Sequence, residues 1–361
     1  MSTPQPVATL GLTSWRRSNN FKSVLLLAAF PALLLLLLGG IFFCFGLFTG
    51  AGRHDYAYGA WQQFGIEPVL GTGSPLDLAL SAIVAWWPAV FGVAAIWVLI
   101  GYFFNDAIIH MATGAVPVTR TEQPQLYNLL ENLCISRGLQ MPKVYIIDTD
   151  VMNAYASGID NKSYAVTVTR GLLETLNRDE LEAVLAHELT HIIDRDTRLL
   201  IVTIVFTGMI SFLAQLLWRS IRFAAFTRGR SRGRGGGGAI VFVLIAAVVM
   251  LAGYLLALIL RFALSRRREL MADAGSVELT KNPDALISAL LKISQNAEVP
   301  HVPSEVRQMF FENPPSAFDL GGLFGTHPSI EKRIKILEGL GGRLPAASDA
   351  SPQQQHAGPW G

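Results

Sequence analysis

Four stretches of this chain, Val24–Phe48, Leu78–Phe104, Leu199–Leu217 and Ala239–Leu260, contain no Asp, Glu, Lys, Arg or His. Their lengths are 25, 27, 19 and 22 residues. A helix rises 1.5 Å per residue and a bilayer's hydrocarbon core is about 30 Å thick, so each run is long enough to cross it. A wholly soluble fold is thereby excluded. Composition agrees: 51% of the 361 residues are hydrophobic and only 16% are charged, against roughly 25% charged in an ordinary soluble domain. Arg16, Arg17 and Lys22 precede the first run, as they would in a signal peptide. At 25 residues the run exceeds the roughly 7–15 of a signal core, and no A-x-A-like site follows it, so it reads as an uncleaved membrane helix. The net charge of +2 lacks the basic excess expected of a nucleic-acid partner. With only Cys44 and Cys134, a disulfide framework and a cysteine-rich zinc module are both excluded.

The chain divides around these runs. Residues 1–23 read as a flexible polar N-terminus, and 24–104 as a transmembrane hairpin with helices 24–48 and 78–104 joined by the Gly-rich loop Thr49–Asp77. Residues 105–198 read as half of a mixed α/β domain. Its helix Gln125–Arg137 carries Leu126, Leu129, Leu130 and Leu133 on one face, and Val144–Ile147, Ala154–Ala156 and Tyr164–Thr169 read as short strands. A further helix starts at Arg178, with Asn177 as N-cap and Glu180 at the capping-box position. Residues 199–260 read as a second membrane hairpin, 199–217 and 239–260, around an Arg/Gly-rich loop at 218–238. The second half of the soluble domain spans 261–343, with helices Arg261–Leu279, Pro283–Gln295 and Pro328–Leu337, the last opened by a proline in its first turn. Asn296–Phe324 reads as irregular, and 344–361 as a disordered tail.

The chemistry sits in His187-Glu188-Leu189-Thr190-His191, inside the helix that starts at Arg178. Histidines at i and i+4 share one helical face, about 5–6 Å apart at Cβ. Their imidazoles can converge on one tetrahedral Zn²⁺ at about 2.0–2.1 Å each. Glu188, beside the first histidine, can reach a water at the metal without ligating it, and so act as general base. A catalytic zinc needs a third protein ligand and an open position. Glu269, Asp273, His301 and His327 are the candidates. Glu269 and Asp273 are themselves i, i+4, so one can bind metal while the other braces a ligand histidine. Spacing does not choose between Glu269 and His327.

The order Ala186–His191, then two apolar runs, then Arg268-Glu269-Leu270-Met271-Ala272-Asp273-Ala274 resembles the HtpX-type membrane zinc metalloproteases. These are relatives of the CAAX prenyl endopeptidases within the gluzincin group. Asn153-Ala154-Tyr155-Ala156-Ser157-Gly158 and Thr326-His327-Pro328-Ser329 with Arg333 extend the likeness over residues 24–338. The resemblance implies an α-helical integral membrane protein with about four transmembrane helices. It carries a mainly α, small-sheet (α+β) zincin-like domain. The implied activity is that of a zinc metalloendopeptidase with one Zn²⁺ per chain on His187, His191 and Glu269, Glu188 being the base. Asp273 would support a ligand histidine, and Asn153 and Ala154 would lie on an edge strand that pairs with extended substrate. His327 would stand near the developing oxyanion, and Arg333 would shape or support the site. Ser329 stands where the family usually has a second proline, a departure that leaves the metal ligands untouched. The implied setting is the bacterial inner membrane, multi-pass, with a cytoplasmic catalytic domain. The implied partners are the lipid bilayer and membrane-protein or peptide substrates, in stress-linked quality control. A dedicated CAAX-type processing protease is an alternative within the same chemistry. A membrane scaffold or transporter with structural zinc is another, disfavoured because Glu188 then has no role and a structural site fills its fourth position.

The ligands impose a topological rule. His187, His191 and Glu269 must share one side of the membrane, so the two runs between them cross twice or not at all. A double crossing sends Trp218–Gly238 to the other side. That loop carries Arg219, Arg222, Arg228, Arg230, Arg232 and Arg234 without an acidic residue, and such loops prefer the cytoplasm. Arg16, Arg17, Lys22 and Arg266–Arg268 assign the catalytic side to the cytoplasm as well. A plain four-span arrangement cannot satisfy both. On length the crossing hairpin is favoured; a hairpin folded back on the domain is the alternative. Seven residues separate His191 from Leu199, about 10–12 Å of helix, which sets the ion near the bilayer surface.

Overall fold

The computed structural model describes residues 12–49, 65–228, 248, 253, 267–297, 299, 302, 306, 309–311 and 328–344. The elements among them are α1 (Leu12–Thr49), α2 (Pro75–Thr113), β1 (Val116–Pro117), α3 (Pro124–Arg137), β2 (Lys143–Ile147), β3 (Ala154–Ser157) and β4 (Ala165–Thr169). There follow α4 (Arg170–Thr175), α5 (Arg178–Ile193), α6 (Asp196–Arg228), α7 (Arg267–Thr280), α8 (Pro283–Ile293) and α9 (Ile330–Gly339). They fall into two compact units. One comprises Val24–Tyr102 and Val202–Ala263; the other comprises Met1–Ser23, Phe103–Ile201 and Leu264–Gly361.

Two helical segments among the described residues, lying mostly in the first unit, are long and apolar enough to cross a membrane: Phe21–Leu47 of α1 and Pro75–Thr113 of α2. That compares with about four expected. The run 239–260 lies outside the described residues except for Val248 and Gly253, which are helical. Helices pack closely here. The Phe30 ring stacks on Phe206 at 4.2 Å, and the Trp97 indole donates to the Val205 carbonyl at 2.9 Å. A Cβ at Gly101 would come within 2.5 Å of Val205 Cγ2, so glycine permits that approach. Within α6, Thr203 is buried and the Thr207 hydroxyl donates back to the Thr203 carbonyl at 2.9 Å, satisfying itself within the helix.

The helices overrun the boundaries expected from the apolar runs. Helix α1 starts at Leu12, so the second half of the expected flexible segment 1–23 is helical. Helix α6 continues through Arg228, so the expected loop 218–238 begins as helix. Once an apolar run has nucleated a helix, adding residues costs little, and arginine and alanine are good helix formers. Helix α2 starts at Pro75, the first-turn position that suits proline, and extends past Phe104 to Thr113.

The second unit is built on a four-stranded sheet in the order β1-β2-β4-β3. Strands β2 and β4 pair in parallel, Lys143 opposite Ala165 to Ile147 opposite Thr169. Strand β3 runs antiparallel on the free side of β4, Ala154 opposite Val168 and Ser157 opposite Ala165, and forms the edge. The two-residue β1 pairs with β2, too short to leave a period in the sequence. Helix α5 packs against this sheet, and α3, α8 and α9 add their leucine and isoleucine faces to one shared core that includes Leu130, Val166, Leu185, Leu286 and Leu337. Helix α9 begins at Ile330 with Ser329 as N-cap, so Pro328 precedes the helix instead of occupying its first turn. The Ser329 side chain makes no cap hydrogen bond.

Candidate metal centre

Helix α5 is secured at its start. Asn177 Oδ1 accepts from the Glu180 amide at 2.9 Å, and Glu180 Oε2 accepts from the Asn177 amide at 2.9 Å, a reciprocal capping box. Glu180 also accepts from Ser288 at 2.6 Å and from Lys292 at 2.8 Å, tying α5 to α8. Helix α7 approaches the other flank, where a Cβ at Gly275 would meet Thr190 Cγ2 at 2.4 Å. One residue on, the Ser276 hydroxyl donates to the Ala183 carbonyl at 2.7 Å. This close crossing brings Glu269, near the start of α7, over the two histidines of α5.

His187 Nε2, His191 Nε2 and a Glu269 carboxylate oxygen all lie within 4.8 Å of one another. The two nitrogens are 3.1 Å apart. Glu269 Oε2 is 3.7 Å from the first and 3.8 Å from the second. Donors arranged tetrahedrally at about 2.0–2.1 Å from zinc stand roughly 3.3–3.4 Å apart, so this triangle has the size of a zinc site. Each histidine is held from behind by a carboxylate: His187 Nδ1 lies 3.0 Å from Asp273 Oδ1, and His191 Nδ1 lies 3.0 Å from Asp196 Oδ2. A proton on each Nδ1 faces its carboxylate, hydrogen-bonded at His191 and in ion-pair contact at His187, and leaves both Nε2 lone pairs for a metal. Glu188 is buried, the Ala156 amide hydrogen-bonds to it, and its Oε1 has no hydrogen-bond partner among the described residues. Burial raises its pKa, against the pull of His187 and His191. A buried carboxylate oxygen left open beside two imidazoles and a second carboxylate fits a site for a divalent cation and a water. Glu188, His191, Arg268, Glu269, Phe310 and Phe311 wall a cavity of ≈ 10 Å³ to a water's centre, about the size of one water.

The other expected site residues fall as follows. Arg333 is wholly buried and grips Asp273 with two hydrogen bonds, Nε to Oδ2 at 2.9 Å and Nη2 to Oδ1 at 2.7 Å. It therefore stands behind Asp273, one side chain further from His187. Its Nη1 also donates to the Phe311 carbonyl at 3.3 Å, and its guanidinium lies 4.7 Å from the Phe311 ring centre. Burial alone would raise the Asp273 pKa; the Arg333 charge and the His187 contact overcome that and hold it at about 2. Asn153 and Ala154 lie at the start of the edge strand β3. Asn153 Nδ2 donates to the Ala297 carbonyl at 2.7 Å and its Oδ1 accepts from the Ala154 amide at 3.0 Å. The Ala154 carbonyl accepts from the Phe311 amide at 2.8 Å, so the chain itself occupies this part of the edge. His301 and His327 lie outside the described residues.

Two contributors escape the sequence reading. Asp196 faces His191 from the first turn of α6, across a two-residue turn, and its place five residues after the motif is a signal that could have been used. Phe311, whose ring meets His187 edge-on at 4.7 Å, comes from a segment with no periodicity to mark it.

The peptidase family M48 profile matches residues 120–340, a span that holds α5, α7 and all of the ligand set. The chain belongs to peptidase family M48. A protease HtpX homolog of Bacteroides fragilis is 45% identical over 335 residues, covering 91% of this chain and 98% of that protein. A protease HtpX homolog of Listeria innocua is 39% identical over 263 residues, covering 69% of this chain and 84% of the relative. The crystal structure of S. mikatae Ste24p overlaps 70% of this chain and 58% of its own, with 21% identity and a TM-score of 0.42. This M48 chain is thus a membrane-bound metallopeptidase, as the resemblance implied.

Proposed function

We propose that the chain holds one Zn²⁺ through His187, His191 and Glu269 and cuts peptide bonds within membrane or membrane-exposed proteins. The observation that carries this reading is the convergence of three ligand atoms within 4.8 Å beside the open Glu188 carboxylate. A zinc ion held there supplies a Lewis acid that polarises the scissile carbonyl and acidifies a water. Glu188 takes the proton from the attacking water and delivers it to the departing amine nitrogen. Asp273 and Asp196 keep the two imidazoles oriented through their Nδ1 atoms, and Arg333 keeps Asp273 ionised and in place. An extended peptide adds along β3 by taking over the Ala154 carbonyl that the Phe311 amide now holds, so Phe311 must withdraw for substrate to bind. His327 is assigned to the oxyanion by family resemblance.

The domain organisation follows the same reading. The 24–104 hairpin anchors the chain, and the 199–260 segment interrupts the protease domain between its ligands as a second membrane pair. The site would then work near the bilayer surface on the cytoplasmic side of a bacterial inner membrane. Quality control of damaged membrane proteins is the role this placement serves. The test uses the purified full chain in detergent. Glu188→Gln is expected to keep one zinc per chain by mass spectrometry and to lose cleavage of a protein substrate that the unaltered chain digests. Glu269→Ala is expected to lose the zinc. Full proteolysis by Glu188→Gln, or full zinc in Glu269→Ala, refutes the respective assignment.

A further inference from the structure

Arg268 has no part in the reaction as described, yet it is 3% exposed and forms part of the wall of the metal cavity. Its Nε lies 3.2 Å from Glu269 Oε1, on the side of that carboxylate turned away from the histidines. Its Nε and Nη1 are both buried, and neither makes a hydrogen bond to the described residues. Arginine carries five N–H donors in a rigid planar fork, cannot discard its charge, and is almost never buried with donors unfilled. A guanidinium paired by charge with Glu269 and left with unfilled donors, in a cavity that also holds Glu188, is built for an acceptor from outside the chain.

The chemistry of that acceptor follows from the reaction. Any peptide that brings a scissile bond to the ion also brings main-chain carbonyl oxygens into the cavity, whatever its side chains. A carboxylate side chain or terminus would suit the charge, but an endopeptidase acts within a chain, where carbonyls are the oxygens always present. We infer that Arg268 is a substrate-binding residue whose Nη1 donates to a main-chain carbonyl oxygen of the bound peptide, at or next to the scissile bond. This rests on the endopeptidase reading above and adds to it a donor that fixes peptide register without reading sequence. The Nε contact to Glu269 couples the two tasks: the side chain that turns the ligand carboxylate toward the histidines also positions the peptide.

The test measures binding, apart from turnover, in the full-length, zinc-loaded protein carrying Glu188→Gln. The probe is a fluorescein-labelled decapeptide, acetylated and amidated at its ends, chosen because the unaltered protein cleaves it. Adding Arg268→Gln is expected to weaken binding by tenfold or more in fluorescence anisotropy, with one zinc per chain retained. Arg268→Lys, which keeps a charge beside Glu269, is expected to keep the zinc and recover only part of the affinity. A reduced-amide scan, replacing each carbonyl near the cleaved bond by CH₂, supplies the decisive reading. One analogue is expected to bind weakly to the parent and to suffer no added penalty in Arg268→Gln. Equal affinity in parent and Arg268→Gln overturns the inference, as do identical analogue penalties in both. Loss of zinc in both Arg268 variants also overturns it, because the residue then acts only through Glu269. If the unaltered protein cleaves no peptide at all, the endopeptidase reading falls first; intact cleavage with unchanged Arg268→Gln binding overturns this inference alone.

Discussion

Removing Arg333 tests whether the histidine supports are a linked electrostatic unit. Arg333→Met keeps much of the volume but deletes a wholly buried guanidinium that makes two hydrogen bonds to Asp273. The Asp273 carboxylate, 1% exposed, then keeps its contact with His187 but loses its counter-charge. Breaking one side of a buried ion pair costs about 3–5 kcal/mol, because the other charge stays buried without compensation. The titration of Asp273 gives an independent figure. Its pKa sits at about 2 against an ordinary 3.8, which at 1.36 kcal/mol per pH unit is about 2–3 kcal/mol of stabilisation of the ionised form. That contribution is complete above pH 4 and is lost as pH falls toward 2. At roughly 2–4 °C per kcal/mol for a domain of this size, Arg333→Met should melt roughly 6–20 °C lower. Because Asp273 orients His187, zinc should also be held about 10–100-fold less tightly. The assay is a thermal melt in detergent, paired with the chelator concentration that strips half the zinc. Asp273→Asn removes the stranded charge while keeping an acceptor for His187. The double variant should therefore lie within about 1 kcal/mol of Asp273→Asn alone, giving a coupling of about 2 kcal/mol or more. A melt and zinc retention in Arg333→Met equal to the parent would refute the reasoning, as would a coupling under about 0.5 kcal/mol.

Other perturbations probe the helix crossing, the core and the metal. Gly275→Ala should cost about 1–3 kcal/mol by overpacking, since its methyl would meet Thr190 Cγ2 at 2.4 Å and Thr190 is pinned by its hydroxyl to the Ala186 carbonyl at 2.8 Å. Adding Thr190→Ala should restore much of the melting temperature and zinc retention; no restoration means the crossing is not the cause. Cys134 is buried, and burial, then Glu131, pushes its thiol pKa up to about 11, so it should resist iodoacetamide at pH 8 until the protein is denatured, read by intact mass. In the metal-free protein, burial opposes a charge on His191, but Glu269, Asp196 and Glu188 outweigh it and raise its pKa to about 9. Its proton therefore stabilises the metal-free fold fully below pH 6.5, and this is lost as pH rises through 9. Zinc binding at pH 7.5 should expel about one proton, and binding enthalpies identical across buffers of different ionisation heat would contradict it.

What the chain discloses before folding depends on how local each feature is. The His187–His191 spacing, the Asn177–Glu180 cap and the leucine face of α3 depend on residues within one or two helical turns, so periodicity and capping rules reach them. Of the carboxylates behind the histidines, Asp196 is local to His191 but Asp273 is remote from His187. Asp273 and Arg333 are 60 residues apart in sequence and meet only because α7 and α9 pack beside α5. Spacing leaves Glu269 and His327 as equal claimants; the near-contact of Gly275 with Thr190 is what brings Glu269 over the imidazoles. Helix ends depart from expectation for a different reason. The apolar runs mark where lipid can surround a helix, whereas α1 and α6 continue through arginines and lysines that are good helix formers but poor membrane residues. The occupation of the Ala154 carbonyl by Phe311 leaves no trace in the sequence, because a single backbone hydrogen bond from an irregular segment has no pattern.

The buried charges around the site are of the kind that a divalent ion on the motif would balance. Glu188, Asp196, Glu269 and Asp273 are each 1% exposed, Arg268 is 3% exposed and Arg333 is wholly buried. When both imidazoles are neutral, as metal ligation requires, the four carboxylates outnumber the two guanidinium groups; without metal, the raised pKa values of His191 and Glu188 relieve that excess by protonation. Charges are not left buried in that state: they neutralise by protonation or are matched by a cation. Each arginine already balances one carboxylate, Arg333 on Asp273 and Arg268 on Glu269. Asp196 lies beside His191 and in the field of the Lys22 ammonium, which leaves the Glu188 charge to be neutralised by a proton or a cation. A single divalent cation between the imidazoles cancels it. An ion there would serve the fold as counter-charge as well as the reaction as Lewis acid, and the unfilled donors of Arg268 are tolerated because the carboxylates around them are negative.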